Sequence, residues 1–355
     1  MSAKARPSPA RPAESASAAP PDPASPENLP LSLAGHFAPS PGAVVPSFLP
    51  MLQGPGTNRL TQLGTRQRPV PVDPITGTAT ISHNQITVSI DHLSQLAAGG
   101  PRVSAFKLFD LCAVALTAQN HYRGRGELQG TVTITLDEYM EYFGLPATKP
   151  SRDRARRRLK EDLDLLFNMA LAWKEERDGE IRDYKTRVIT AREIRNSRIS
   201  VEFSPGMAAY LTDAYLTSYP KALFRTDERL PSSYHLGKKL SLHHFMENNQ
   251  RRGTAGIISV KALLKAAPDI PSVEEVRQSG RQFDQRIRAP FEKALNNLSE
   301  VLQSWEYCRG QGQPLSEEEK ADFNFAAFLK AFIKFTLTGA LEPARPGGDG
   351  GENGK

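Results

Sequence analysis

The chain has 355 residues, a formal net charge of +6 and an isoelectric point of about 9.2, a mild positive excess that indicates polyanion binding only where it is concentrated. Its two cysteines, Cys112 and Cys308, lack metal-ligand spacing, which argues against a disulfide framework and for a reducing compartment. No apolar run reaches the length of a signal peptide core or a membrane helix, so we expect a cytoplasmic protein.

The two ends of the chain have the composition of disordered segments. Residues 1–75 hold 16 of the 28 prolines, mixed with Ala, Ser and Gly, and cannot bury enough apolar surface to offset the entropy of ordering. Within this head, 47–52 is an apolar island, either an isolated apolar stretch or a segment that docks on a partner. The Gly-rich tail, 341–355, is also predicted to be disordered. We therefore expect two folded domains, 76–212 and 213–340.

The residue pattern of the first domain predicts a helix-turn-helix that carries a β-hairpin. Alternating apolar residues at 78–90 predict short strands, and Gly144 is the expected C-cap of a short helix. Asp178-Gly179 is a two-residue hairpin signal, and the hairpin around it is the candidate wing. The predicted elements are a helix at 103–119, a strand at 131–135, a helix at 136–143, a long helix from the N-cap Ser151 to about Ala170, hairpin strands at 171–177 and 180–189, and a strand at 199–203.

The second domain repeats this order without repeating the sequence. Ser259 and Ser272 are the expected N-caps of two of its helices. The predicted elements are a helix at 236–249, a strand and short helix at 257–264, a helix from Ser272, a long helix at 281–298, strands at 301–309 and 322–325, and a helix that carries Phe328, Phe332 and Phe335 into the core. The fold class is therefore predicted as α+β, mainly helical, with two tandem winged-helix domains.

The strongest functional signal lies in the long helix of the first domain. Six of the ten residues from Ser151 to Lys160 are basic, namely Arg152, Arg154, Arg156, Arg157, Arg158 and Lys160. Its apolar stripe is formed by Ala155, Leu159, Leu163 and Leu166. Cations in the first turns oppose the macrodipole and repel one another, at a cost of about 0.3–1 kcal/mol each that a nearby polyanion would offset. Since this helix follows the turn, we predict that it reads the DNA major groove; a solvated helix with scattered salt bridges is the alternative.

Further basic residues define secondary candidates for DNA contact. In the candidate wing they alternate with acids, as in any solvated hairpin, and include Lys174, Arg177, Arg182, Lys185 and Arg187. In the second domain they are Arg251 and Arg252 in a loop, and Arg281, Arg286, Arg288 and Lys293 on the long helix. Pro290 should kink that helix or divide it in two.

Enzymatic motifs are absent from the sequence. There is no G-x-x-x-x-G-K-[ST] phosphate loop and no zinc-binding pattern. The adjacent pair His243-His244 cannot face one metal ion from a helix or a strand. We therefore predict a non-enzymatic protein without cofactor or metal.

Three stretches resemble the initiator proteins of iteron-type plasmids and the related initiators of integrative elements. They are 135–145 leading into the basic helix, 199–211, and 236–250, and the resemblance extends over about residues 100 to 336. It implies two winged helices that bind repeated origin sites in double-stranded DNA, help to melt adjacent DNA and recruit host replication proteins. It also implies that the first domain mediates homodimerisation. The chain departs from the family in its proline-rich head and in Pro290.

Three other functions remain open from the residues alone. A transcriptional regulator would use the same DNA-binding domains. A relaxase or nuclease would show metal-dependent nicking that depends on a tyrosine. A structural protein whose basic helix binds an acidic protein surface would not bind DNA at moderate salt.

Overall fold

A computed structural model describes residues 48–53, 72–83, 86–92, 102–121, 130–177, 180–212, 215–278, 282–321 and 323–339. The elements up to residue 220 are β1 (Phe48–Gln53), β2 (Ala79–His83), β3 (Ile86–Ile90), α1 (Val103–His121), β4 (Thr131–Thr135), α2 (Leu136–Tyr142), α3 (Lys149–Phe167), β5 (Met169–Arg177), β6 (Glu180–Arg187), β7 (Ile189–Arg195), β8 (Arg198–Phe203), α4 (Pro205–Thr212) and β9 (Tyr215–Pro220).

The later elements begin with a short 3-10 helix. In chain order they are the 3-10 helix (Lys221–Arg225), α5 (Pro231–Phe245), α6 (Glu247–Arg251), β10 (Ile257–Ser259), α7 (Val260–Leu264), α8 (Val273–Gln278), a π-helical turn (Asp284–Arg288), α9 (Ala289–Asn296), β11 (Leu302–Cys308), α10 (Glu317–Ala321), α11 (Phe325–Lys330) and β12 (Phe332–Leu337).

The first α/β unit, residues 103–203, has the order helix, strand, helix, helix and four strands. Three of its five strands form an antiparallel sheet in the order β4-β8-β7. Every second residue of β8 is buried, and Phe203 meets Phe109 of α1 edge to face with ring centroids 6.1 Å apart. The alternating pattern of the sequence therefore places one face of this sheet against α1.

The predicted wing proves to belong to a different sheet. The hairpin of β5 and β6 forms as expected, with Arg177 opposite Glu180, but it extends a four-stranded sheet in the order β2-β3-β5-β6. The hairpin that completes the three-stranded sheet is β7–β8, whose turn is Asn196-Ser197. Apolar and polar residues alternate in both hairpins, and the long-range pairings, β8 with β4 and β5 with β3, distinguish them.

The second α/β unit, residues 231–337, orders its strands in the same way as the first. Its antiparallel sheet runs β10-β12-β11, so the strand that follows the first helix again pairs with the last strand. The two predicted N-caps are confirmed, because the hydroxyl of Ser259 accepts from Ala262 N–H and that of Ser272 accepts from Glu275 N–H.

Several predictions for this unit are wrong. The helix expected at 236–249 begins earlier, at Pro231, and ends at Phe245. The segment with Phe332 and Phe335 is the strand β12 rather than a helix, since its buried residues alternate with exposed ones. The strand expected at 322–325 does not form in the described residues, where Asn324 caps the start of α11. Phe328 and Phe335 are nevertheless buried, as expected, and Phe332 is half-buried.

Pro290 interrupts the long helix predicted for the second unit, which has a wider, π-helical turn before the proline. The segment before it is π-helical, Asp284–Arg288, and α9 follows with Pro290 in its first turn. The N–H of Ala289 donates to the carbonyl of Asp284, five residues back. A proline has no N–H to donate and crowds the preceding turn, which the wider turn relieves.

The proline-rich head contributes an ordered strand, which corrects the prediction of disorder through residue 75. The strand β1 pairs antiparallel with β9 along its whole length, from Phe48 opposite Pro220 to Gln53 opposite Tyr215. Leu49 and Met51 are buried, and the ring of Phe48 meets that of Phe245 edge to face at 5.2 Å. The apolar island thus packs within the chain, on β9 and the end of α5.

A buried polar cluster joins the two units. Nζ of Lys238 on α5 lies 2.7 and 2.8 Å from the carboxylate oxygens of Asp110 on α1, and the hydroxyl of Tyr234 also donates to that carboxylate. Lys107, one turn before Asp110, donates to the carbonyls of Phe224 and Thr226. All of these side chains are almost fully buried, so the polar atoms depend on one another for partners.

Within the described residues, none of the helices has both the length and the apolar character that a membrane crossing requires.

Candidate nucleic-acid interface

The basic helix α3 starts two residues before the predicted N-cap. Thr148 occupies the N-cap position, and Lys149 and Pro150 form the first turn, with Ser151 already inside the helix. Proline suits this place because its fixed φ matches the helix and its missing N–H would be unpaired anyway. The helix ends at Phe167 rather than Ala170, because Met169 begins the strand β5.

The inward face of α3 is the one that the sequence predicted, with one buried charge in addition. Its apolar members are buried, namely Ala155, Leu159, Leu163 and Leu166. Asp162 lies among them and accepts a hydrogen bond of 2.9 Å from the hydroxyl of Ser104 on α1. Burial raises the pKa of the Asp162 carboxyl to about 6, although the bond from Ser104 and the nearby Arg158 oppose that rise.

Two of the six predicted cations hold α3 in place. Arg152 is half-buried and lies 2.5 Å from the carboxylate of Asp137 on α2. Arg158 is half-buried as well; it pairs with Glu228, in the segment before α5, and its Nε is 3.9 Å from Asp162. These two arginines therefore have protein partners and are poorly placed to leave them for DNA.

The other four predicted cations of α3 face solvent, namely Arg154, Arg156, Arg157 and Lys160, and so does Lys149 at the start of the helix. Within the described part of the chain, no ion pair joins any of them to a carboxylate. They are neighbours at helical spacing, Arg157 three residues from both Arg154 and Lys160, and Arg156 four residues from Lys160. Like charges at these spacings repel one another.

The unfavourable electrostatic energy of α3 therefore has a different origin from the one that the sequence suggested. Because the helix begins at Lys149, the exposed arginines lie in its second and third turns, beyond the reach of the macrodipole. Their mutual repulsion is the term that an approaching polyanion would offset.

The hairpin β5–β6 offers less than the sequence suggested. Lys174 lies 3.4 Å from Asp183, and Arg187 lies 3.7 Å from Asp91 and donates to the carbonyl of Phe167. Lys185 is exposed. Arg177 and Arg182 belong to these strands, and their side chains fall outside the described part.

The predicted cations of the second unit divide in the same way. Arg288 is half-buried and donates to Glu292 at 2.9 Å and to the carbonyl of Phe323 at 3.0 Å, which makes it part of the packing. Arg251 pairs with Glu247 one turn away. Arg251 is exposed all the same, as are Arg252 and Lys293; Arg286 is half-buried, and Arg281 lies outside the described residues.

Two exposed arginines were not among the predicted site residues. Arg195 and Arg198 flank the Asn196-Ser197 turn of β7–β8, and they are direct partners in the register. Asn196 adopts the left-handed conformation, with φ of 58°, that tight hairpin turns require. An Arg-Asn-Ser-Arg turn at the end of an alternating segment was the available signal.

No set of three or more His, Cys, Asp or Glu side chains in the described ranges could hold a metal ion. Both cysteines are buried free thiols. Nε2 of His243 lies 2.8 Å from the carbonyl oxygen of Ile257, and its Nδ1 faces the amide of Asn249.

A family model described as "Initiator Replication protein, WH1" matches residues 83–234. This segment is similar to the WH1 domain of initiator replication proteins. No curated protein sequence matches the chain. The matched segment contains α2, α3 and both hairpins of the first half.

Two solved structures are similar to the chain at low identity. One is the WH1 domain of MSBI1.176, a replication protein isolated from a multiple sclerosis patient, with 15% identity over 31% of this chain and 79% of that one, at a TM-score of 0.23. The other comprises domains 2 and 3 of RctB, with 10% identity over 79% of this chain and 98% of that one, at a TM-score of 0.43.

Proposed function

We propose that the chain is a replication initiator that binds a specific sequence in double-stranded DNA through the exposed face of α3. The observation that supports this most is the separation of the six predicted cations of α3: two are bound within the protein, and four stand exposed at mutually repelling positions. Arginine binds both phosphate and the major-groove edge of guanine in a bidentate manner. A DNA duplex would offset the repulsion and occupy the donors.

We also propose that the two α/β units are tandem winged-helix domains, both of which contact DNA. The shared strand order, β4-β8-β7 and β10-β12-β11, supports this division. In the second unit the exposed cations available for contact are Arg252 and Lys293, together with Lys261 and Lys265 on and after α7. Phosphate contacts from these residues would fix the register of the protein on DNA.

As an initiator, the chain would bind repeated origin sites, melt the adjacent duplex and recruit host replication proteins. Melting would be driven by binding and bending energy rather than by nucleotide hydrolysis, since the sequence has no phosphate loop. A homodimer is part of this proposal.

The test is duplex binding by the full-length protein. Fluorescence anisotropy with labelled duplexes from the DNA that flanks the gene, against scrambled duplexes of equal length, should show preferred binding that persists near physiological salt. We expect Arg156→Ala/Arg157→Ala to reduce affinity by about 1–3 kcal/mol for each arginine that reads a base. For each lost phosphate contact, the slope of log affinity against log salt should fall by about 0.9.

The matched control removes two other exposed cations and the same formal charge. Arg309→Ala/Lys320→Ala alters residues paired with Glu319 and Glu317 beside α10 and should leave the binding unchanged. Equal losses in both double variants, or weak binding to every duplex alike, would contradict a reading role for α3. Footprints on direct repeats would favour the initiator, and one footprint at a promoter would favour a transcriptional regulator.

A further inference from the structure

The turn of the β7–β8 hairpin brings two positive charges face to face. Arg195 and Arg198 are the last register pair before the Asn196-Ser197 turn, and both side chains are exposed. They lie on the outer face of the sheet, because the alternate residues of β8, from Ile199 to Phe203, are buried. Like charges directly opposite each other in a sheet are destabilising.

Nearby carboxylates do not compensate this pair. Glu193 is the next residue on the same face of β7, and Glu202 lies further along β8. The carboxylate of Glu138 is bound to Thr135 through both its N–H, at 2.7 Å, and its hydroxyl, at 2.9 Å. Among the described residues, no ion pair joins Arg195 or Arg198 to any carboxylate.

The turn is held next to the start of the helix-turn-helix. The N–H of Leu136, the first residue of α2, donates to the carbonyl of Ser197 at 2.6 Å. The following residue, Asp137, is the ion-pair partner of Arg152 near the start of α3. A fixed chain of contacts thus leads from the arginine pair to the N-terminal end of α3. In helix-turn-helix proteins this end of the reading helix meets the DNA.

We propose that Arg195 and Arg198 form a clamp for one or two phosphates of the DNA backbone beside the groove that α3 enters. The proposal rests on the proposed DNA binding by α3 and assigns a different role to the clamp. Guanidinium groups bind phosphate oxygens in a bidentate manner, and the anion removes the repulsion between the two arginines. Backbone contacts of this kind position a protein without reading its sequence.

The experiment compares salt dependence with sequence preference in the full-length protein. Arg195→Ala/Arg198→Ala should lower the slope of log affinity against log salt by about 1–2, at about 0.9 for each phosphate released. Its preference for the flanking-DNA duplex over the scrambled duplex should remain. Arg195→Lys/Arg198→Lys keeps the charge and should retain most of the slope, and Arg309→Ala/Lys320→Ala should retain all of it.

A measurement on the free protein provides a second, independent readout. Removing one member of a repelling pair should leave the melting temperature at low salt equal or higher, so Arg195→Ala should not destabilise the fold. An unchanged salt slope in the double alanine variant would overturn the clamp while leaving the reading role of α3 intact. A lost sequence preference would also overturn it. Absence of duplex binding by the wild-type protein would overturn both proposals.

Discussion

The helix before the hairpin carries basic residues in both α/β units, but the two helices use them differently. On α3, five cations are exposed, counting Lys149, and in the described part of the chain only Arg152 and Arg158 form ion pairs. In the second unit, Arg288 is bound to Glu292 and Phe323, and Lys293 is the exposed cation of α9. An equivalent place in the order of elements therefore does not give an equivalent surface.

The connections between the last two strands of each unit differ in the same respect. The strands β7 and β8 are joined by two residues between opposed arginines, whereas the connection from β11 to β12 contains α10, which starts with Glu317, Glu318 and Glu319. Arg309 and Lys320 pair with Glu319 and Glu317, but the three carboxylates still outnumber these two cations and disfavour phosphate. Under the proposed DNA binding, the side chains at the turn would decide the contact with nucleic acid, and the strand order alone is not informative about it.

The largest expected effect comes from breaking the contact between the two units. In Asp110→Ala the ammonium of Lys238 would stay buried without a partner, and we expect the free energy of unfolding in urea to fall by about 3–5 kcal/mol. Asp110→Leu/Lys238→Met removes both charges and should cost much less. If the single and double variants lose equal stability, the buried pair does not join the units.

A smaller effect concerns the way in which the two helices are anchored. The helix α9 packs through apolar side chains such as Phe291, whereas α3 buries the carboxyl of Asp162. The pKa of that carboxyl is raised from 3.8 to about 6 by burial, so the folded protein binds this proton more tightly than the unfolded chain does. Its contribution to stability is present below about pH 4 and is lost as the pH rises through about 6.

Asp162→Asn should remove this pH dependence. At pH 4 the variant and the wild type should be similarly stable, and at pH 7 the variant should be more stable by up to about 3 kcal/mol, since each pKa unit corresponds to about 1.36 kcal/mol. Urea unfolding from pH 4 to 7 measures the difference. Asp153→Asn, on the exposed face of the same helix, is the control. A variant that loses stability equally at both pH values would contradict the protonation of Asp162.

The sequence predicted most elements of the first half because their signals are local. The helix at 103–119, Gly144 after α2 and the hairpin around residues 178 and 179 all depend on periodicity or turn chemistry within a few residues. The sequence-based prediction was wrong where pairing between distant segments determines the secondary structure. Phe332 and Phe335 have a spacing that also fits a helix, but this segment is the strand β12 because it pairs with β10 and β11.

For the candidate site, too, contacts between residues distant in sequence could not be predicted. Six cations on one helix were visible in the sequence, but the partners of Arg152 and Arg158 are Asp137 and Glu228, one of them seventy residues away. The arginines at the β7–β8 turn were missed because the hairpin at 171–189 gave the stronger turn signal. Charge counts thus pointed to the candidate interface and could not separate its structural arginines from its exposed ones.

The smallest effect distinguishes a packing arginine from an exposed one. Arg288→Ala would remove hydrogen bonds to the carboxylate of Glu292 and the carbonyl of Phe323, and we expect the free energy of unfolding to fall by about 1–2 kcal/mol. Arg157→Ala has no ion pair to lose among the described residues and relieves repulsion with Arg154 and Lys160, so stability should be equal or slightly higher. In DNA binding the two should exchange roles, Arg157→Ala lowering the affinity and Arg288→Ala leaving the salt slope as it is. A lower salt slope in Arg288→Ala would show that this arginine reaches phosphate, and the contrast between the two helices would then fail.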